Sequence, residues 1–224
     1  GSEMCIRDRQ KTSANPELTK GNSCYSLAGA EYSIYTNKSC SKDSYFGFIR
    51  TDANGFGVYG DGLDSKGKHV GSDVTNRTYY AKETKAPKGY KLDSTVHALN
   101  VEVGKTATLT VADTPKVTET LIDLFKIDME TGKSTPQGTA SLEGAEFTWS
   151  YYDGYYNADN LPAKATRTWT TKTVAEKDND GTIHYVSRLA DSYKVSGDSF
   201  YTQDGKNVLP LGTPVSYTHL RAHE

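Results

Sequence analysis

Methionine is nearly absent from this chain, with 2 in 224 residues, and cysteine and tryptophan are scarce at 3 and 2. No two cysteines fall in a Cys-x-x-Cys spacing and none has a histidine close by, which excludes a cysteine-based metal site. No apolar run is long enough to span a bilayer, so membrane insertion is not expected. Acidic and basic residues nearly cancel, 28 against 26, for a net charge of −2. That balance gives no electrostatic reason to expect nucleic acid or an anionic membrane as partner. Gly-x-Ser-x-Gly, a phosphate loop and a paired-carboxylate motif are all missing. His69, His97 and His184 stand isolated in sequence, and each reads as a surface or strand histidine rather than a base. No enzymatic activity and no cofactor are expected.

What the chain has in quantity is tyrosine (16) and glycine (20). Short Val/Thr/Tyr runs punctuated by Gly, Asp and Asn are the pattern of antiparallel β-sandwiches, and the length suits two domains of roughly 100 residues. Strands are expected over 11–13, 27–35, 45–51, 56–63, 96–103 and 106–113. Polar loops are expected over 14–26, which contains Asn15-Pro16 and Gly21-Asn22, and over 64–76. Asp52-Ala53-Asn54-Gly55 is a hairpin-type turn in which Gly55 can take positive φ. Ala30, Tyr32 and Ile34 alternate onto one face, as do Leu99, Val101 and Val103.

The most informative stretch is Tyr79-Tyr80-Ala81-Lys82-Glu83-Thr84-Lys85-Ala86-Pro87-Lys88-Gly89-Tyr90. Period-2 alternation puts Tyr79, Ala81 and Glu83 on one face, so a carboxylate points where apolar side chains should. Pro87 then ends the ladder and Gly89 turns the chain. Leu109, Val111 and Asp113 likewise share a face, which brings in a second inward carboxylate. Burial of such groups costs several kcal/mol unless they are neutral, paired or hydrogen-bonded.

This stretch resembles the E-box of Cna-B-type (SpaA-type) repeats, Glu-Thr-x-Ala-Pro-x-Gly-Tyr. Leu27-Ala28-Gly29-Ala30-Glu31-Tyr32-Ser33-Ile34-Tyr35 resembles the family's Leu-x-Gly-Ala-x-Phe-x-Leu-Tyr strand. Leu142-Glu143-Gly144-Ala145-Glu146-Phe147-Thr148-Trp149 repeats it about 115 residues later, a domain-scale spacing. The resemblance implies an all-β tandem of prealbumin-like, inverse-immunoglobulin sandwiches. The first covers 10–115; the second, read as incomplete, covers 117–213, with further strands over 118–128, 165–174, 182–189 and 199–202. The Pro115-Lys116 linker is short enough to stack them stiffly. Residues 4–9 and 214–224 resemble translated sequencing-adapter read-through, so 1–9 and 214–224 are expected to be non-native tails, Cys5, His219 and His223 included. Leu209-Pro210-Leu211-Gly212-Thr213, a near miss for the sortase signal Leu-Pro-x-Thr-Gly, reads as loop.

The resemblance also implies chemistry: Glu83 promotes an isopeptide bond between a first-strand lysine and Asp113, which stands where the family carries Asn or Asp. Lys11 is the nearest lysine. In some relatives the reactive lysine lies three residues earlier, at the place of Asp8, and an odd offset flips the strand face. Glu83 as a plain structural carboxyl, bonding backbone around the Ala86-Pro87 turn, is the alternative. With the first strand read as tail-derived, this chain itself is expected to form no bond. Lys126 is the weaker counterpart in the second domain, with Asp123 at the other position. In a secreted protein Cys24 and Cys40 read as a disulfide, which for a loop of this size adds roughly 3 kcal/mol. The implied role is a stalk or shaft segment of a Gram-positive, wall-attached surface protein or pilin, partnered by neighbouring repeats. Host matrix or glycan binding around Tyr151-Tyr152-Asp153-Gly154-Tyr155-Tyr156, itself expected to be loop, and a spacer in a large surface enzyme are the alternatives.

Overall fold

The computed structural model describes residues 9–59, 74–102, 104–119, 124–126, 131–133 and 141–219. Two compact units divide the chain, residues 1–20 with 24–116 and residues 21–23 with 117–224. Both are built almost wholly of strands.

In the first unit the elements are β1 (Arg9–Ser13), α1 (Pro16–Thr19), β2 (Glu31–Tyr35), β3 (Tyr45–Arg50), β4 (Phe56–Gly57), β5 (Arg77–Lys85), β6 (Val96–Val101) and β7 (Leu109–Asp113). Four strands form an antiparallel sheet in the order β3-β2-β5-β6, and three form a second sheet in the order β4-β1-β7. The alternation expected from sequence is what buries the core. Ala30, Tyr32 and Ile34 from β2 and its approach, Ile49 from β3, Tyr79 and Ala81 from β5, and Leu99 and Val101 from β6 form one cluster. The first strand runs parallel to the last, with Lys11 opposite Val111 and Ser13 opposite Asp113. It begins at Arg9, inside the stretch expected to be a tail.

The loop expected over 14–26 contains one turn of helix. Pro16 is compatible with a first helical position, where its missing N–H is not needed, and Leu18 anchors the turn by burial. Of the expected strand over 56–63, residues 56–57 form β4 and 58–59 are not strand; residues 60–63, residues 64–73 of the following loop, and Val103 lie outside the described residues.

The second unit contains β8 (Val117–Glu119), β9 (Leu124–Lys126), β10 (Glu146–Asp153), β11 (Arg167–Lys172), β12 (Val174–Lys177), β13 (Ile183–Ser187), β14 (Lys194–Gly197), β15 (Tyr201–Gln203), β16 (Lys206–Pro210) and β17 (Gly212–His219). Its sheets run β14-β11-β10-β17, β12-β13-β9 and β15-β16-β8. The Leu209–Thr213 stretch is not the loop expected from its Pro and Gly. It closes β16 and opens β17, which pairs with β10 from Asp153↔Gly212 to Glu146↔His219 and so takes up residues 214–219 as strand. Nor is the tyrosine cluster at 151–156 all loop: Tyr151 is a core residue of β10, and Tyr155 is exposed.

The sequence repeat is matched bond for bond. In the first unit Gly29 N–H donates to Thr51 O (2.9 Å) and Thr51 N–H to Ala30 O (3.0 Å). Thr51 Oγ1 accepts from Ala30 N–H (3.0 Å) and donates to Leu27 O (2.6 Å). Thr173 treats Gly144, Ala145 and Leu142 in the same way, at 3.0 Å and 2.9 Å through its backbone and 2.9 Å and 2.6 Å through Oγ1. Each threonine is buried and satisfies the backbone where the Leu-x-Gly-Ala turn enters a central strand.

Gly55 ties this framework to β1. It has φ +81°, its carbonyl accepts the Lys11 N–H (2.7 Å), and a Cβ placed there would stand 2.2 Å from Lys11 O. Gly104 also has positive φ (+77°) but faces open space. Gly55→Ala is therefore expected to destabilise the first unit by about 2 kcal/mol or more, and Gly104→Ala by about 1 kcal/mol, from the left-handed backbone alone. Denaturant unfolding of the two variants checks this, and equal losses would mean that the turn does not brace β1.

Candidate functional site

Three ionisable side chains meet in the first unit where water does not reach. Lys11 is 0% exposed, and Glu83 and Asp113 are each 1% exposed. Strand geometry explains the meeting. Glu83 ends the inward row Tyr79, Ala81, Glu83 of β5, and Asp113 ends the row Leu109, Val111, Asp113 of β7. Lys11 lies opposite Val111, and Asp113 is one same-face step further along, about 6–7 Å. The lysine stem covers that step.

Lys11 Nζ donates to Glu83 Oε1 (2.6 Å) and to Tyr32 Oη, at the hydroxyl edge of the Tyr32 ring. It lies 2.5 Å from Asp113 Oδ2. That third contact is close without being directed as a hydrogen bond, and among the described residues neither Asp113 oxygen takes one. Glu83 Oε2 accepts the backbone N–H of Asp93 (2.7 Å), so both of its oxygens are held.

One lysine cannot neutralise two carboxylates. Burial pushes the Asp113 carboxyl up to about 6; the Lys11 ammonium works against that shift, and the nearby Glu83 adds to it. A proton on Asp113 makes the cluster neutral overall. It also turns Asp113 from a carboxylate, a poor electrophile, into a carboxylic acid with a hydroxyl that can leave as water. The arrangement thus sets an amine, a carboxyl group and a second carboxyl positioned as acid or base within contact of one another.

Lys11, Glu83 and Asp113, named from sequence, are together at this point. Tyr32 and the Asp93 backbone were not foreseen as members. Alternation shows that Tyr32 faces inward, yet nothing in its spacing says what its hydroxyl meets. Lys126 falls in β9, opposite Tyr185, and its side chain lies outside the described residues, as do Asp123, Asp8 and Cys5. His97 Nε2 lies 3.6 Å from Asp93, and His184 Nε2 is 2.8 Å from Asp178. No group of ligands suited to a metal occurs among the described residues.

The expected disulfide is corrected. Cys24 is buried beside the E-box turn, where a Cβ on Gly89 would stand 2.6 Å from Cys24 O. Cys40 sits beyond the far end of β2, its Sγ 3.7 Å from Lys38 O. The strand between them is about 15 Å long, and a disulfide needs Cα atoms within about 7 Å.

The raised Asp113 value makes a stability prediction with a definite sign. Between the ordinary value of 3.8 and about 6, the folded chain keeps a proton that the unfolded chain has lost. Unfolding free energy contributed by Asp113 therefore falls as pH rises through that window. Denaturant melts across the window should show this slope for chain in which Asp113 is a free carboxyl, and lose it in chain where that carboxyl has been consumed.

The family model of the SpaA prealbumin-like fold domain matches residues 17–115. Among solved structures, the chain is similar to the Bacillus anthracis TIE protein at 19% identity, over 96% of this chain and 31% of that one, with a TM-score of 0.45. It is similar to a streptococcal ancillary pilin at 16% identity, over 99% of this chain and 60% of that one, with a TM-score of 0.35. A third similar structure is the C-terminal fragment of the pilus adhesin SpaC from Lactobacillus rhamnosus GG, at 15% identity, over 97% and 89% of the two chains, with a TM-score of 0.37. The chain spans less than two thirds of the length of the first two. No curated protein matches it significantly. The matched stretch, residues 17–115, takes in Glu83 and Asp113, and Lys11 lies just ahead of it.

Proposed function

We propose that this chain is a force-carrying segment of a Gram-positive surface protein or pilin, and that Lys11 and Asp113 condense to an isopeptide bond with Glu83 as the proton relay. The observation that carries the reading is the dry contact of Lys11 Nζ with both carboxyls, at 2.6 Å and 2.5 Å. The sequence alone suggested that this chain would stay unreacted because its first strand looked foreign. The built β1, with Lys11 on the inward face beside β7, favours reaction in this chain itself.

The step balances without a cofactor. The Lys11 ammonium passes a proton to the Asp113 carboxylate, leaving amine and acid. The amine attacks Asp113 Cγ, and the C–O bond to the hydroxyl breaks. Glu83 accepts a proton from the nitrogen and returns it to the leaving hydroxyl, which departs as water. Burial favours the neutral acid form of Asp113 that attack requires, because it penalises the carboxylate's charge. The match to the SpaA prealbumin-like model supports the surface location and the stalk role; stiffness along the chain is what the cross-link would contribute.

Intact mass under denaturing conditions tests this. The full chain should weigh about 18 Da less than its sequence, the mass of one water. Glu83→Ala should show the full mass and unfold more easily. The bond closes a loop of about 100 residues, and by loop entropy its absence costs about 4–5 kcal/mol. A parent chain that folds and keeps its full mass overturns the reading and leaves Glu83 a structural carboxyl.

A further inference from the structure

We infer that Tyr32 is a positioning residue for this condensation, holding the Lys11 amine so that its lone pair faces Asp113; the inference rests on the reading above. Apart from Cε, an amine nitrogen has three directions to fill. Tyr32 Oη and Glu83 Oε1 each accept an N–H from Lys11. The third direction is left for Asp113, whose Oδ2 is 2.5 Å from Nζ without a directed hydrogen bond. Once the ammonium gives up its third proton, the vacated direction becomes the lone pair, and with the other two directions held, Asp113 is the remaining group in contact with the nitrogen. With one N–H held instead of two, the amine could rotate about the Cδ–Cε and Cε–Nζ bonds, and the lone pair would sample directions away from Cγ.

The hydroxyl is rigidly placed. Tyr32 is 0% exposed on β2, between Ala30 and Ile34, each also 0% exposed, and its register partner across the sheet is Glu83 itself. One short cross-strand step therefore sets both N–H acceptors on the same pair of strands. The pattern Leu-x-Gly-Ala-x-Phe that Leu27–Tyr32 resembles has phenylalanine at this place, so Tyr32→Phe removes only the oxygen, in a slot that suits the ring.

Titratable and charged groups facing Lys11 are Glu83 from β5 and Asp113 from β7, with the Tyr32 phenol from β2. Loss of the phenol oxygen removes one of the two N–H acceptors that hold the amine, while the ring keeps its buried place. Tyr32→Phe is thus expected to lower the plateau rate of condensation about tenfold, the size of a modest orientation effect, and by the same factor across the pH series.

The experiment follows full-length chain made by pulse-labelled cell-free translation, chased at a series of pH values and quenched in denaturant. The fraction lighter by one water is read by mass. Ile34→Val, a change in the same core, should keep the parent's rates across the pH series. A Tyr32→Phe chain with the parent's plateau, or with a loss confined to the pH range where the chain is least stable, overturns the inference and leaves Tyr32 as packing. If the parent never loses water, the condensation itself fails, a result separable from either. Near-ultraviolet circular dichroism of purified Tyr32→Phe shows that the rates are compared between folded chains.

Discussion

A lysine and two carboxyls enclosed together dominate what the first unit can be. Removing any one of them from water is costly, and breaking a buried pair by deleting one partner typically costs about 3–5 kcal/mol. The cluster is tolerable only while Lys11 stands between Glu83 and Asp113, which requires β1 to lie on β7 in one register. A one-residue slip would turn Lys11 outward and leave both carboxyls unpaired. The turn at Gly55, pressed against the Lys11 backbone, and the Asp93 N–H on Glu83 both serve that register. A parallel pairing of the first unit's first and last strands, slow to find because it is so non-local, is thereby made specific.

Those parts of the site that depend on period-2 alternation were legible in the sequence. Glu83 follows Tyr79 and Ala81, Asp113 follows Leu109 and Val111, and all six positions face inward as the pleat dictates. Lys11 was legible only as the nearest lysine, because a run of three residues cannot fix its own phase; pairing with β7 does. Tyr32 was visible as core but not as a hydrogen-bonding group. Elements whose cause is not periodic were hidden. The Thr51 and Thr173 braces join segments far apart in sequence, and a single helical turn at Pro16–Thr19 has too few residues to show a pattern. Strand β17 was hidden by Pro and Gly at its start, which mark turns on average but are tolerated at the first residues of a strand. The cysteines misled because they were paired by count and expected compartment, while an extended strand lay between them.

The second unit puts the same scaffold to a different polar use. Its central β10 is flanked by β11 and β17, as β2 is by β3 and β5, and the Leu-x-Gly-Ala turn is braced alike. Yet the register that sets Glu83 across from Tyr32 sets Thr218 across from Phe147. Among the described residues, its buried polar contacts are made by neutral groups: Trp149 Nε1 donates to Thr171 Oγ1 (2.8 Å), which also accepts from Ser187 Oγ (2.7 Å). Neutral hydrogen bonds ask for no proton bookkeeping and keep their strength across pH. They also offer no route to a covalent bond, since a hydroxyl and an indole supply neither an activated carbonyl nor a strong nucleophile.

That contrast bears on how tension would pass through the chain. In a parallel pair such as β1 and β7, opposite pulls at the two ends shear every ladder bond at once, a stronger arrangement than peeling them singly, but still a sum of net contributions near 1 kcal/mol each. A bond between Lys11 and Asp113 changes the path. Force entering at β1 reaches Lys11 after two residues of strand and leaves at the last residue of β7, so the sheet between them is never in series with the load. The apolar core then has only to keep water from the cross-link and its precursors. If the bond forms, the tyrosine-rich interior of the first unit serves a chemical task first: it would hold the amine and the carboxyl groups dry long enough for them to lose one water of their own.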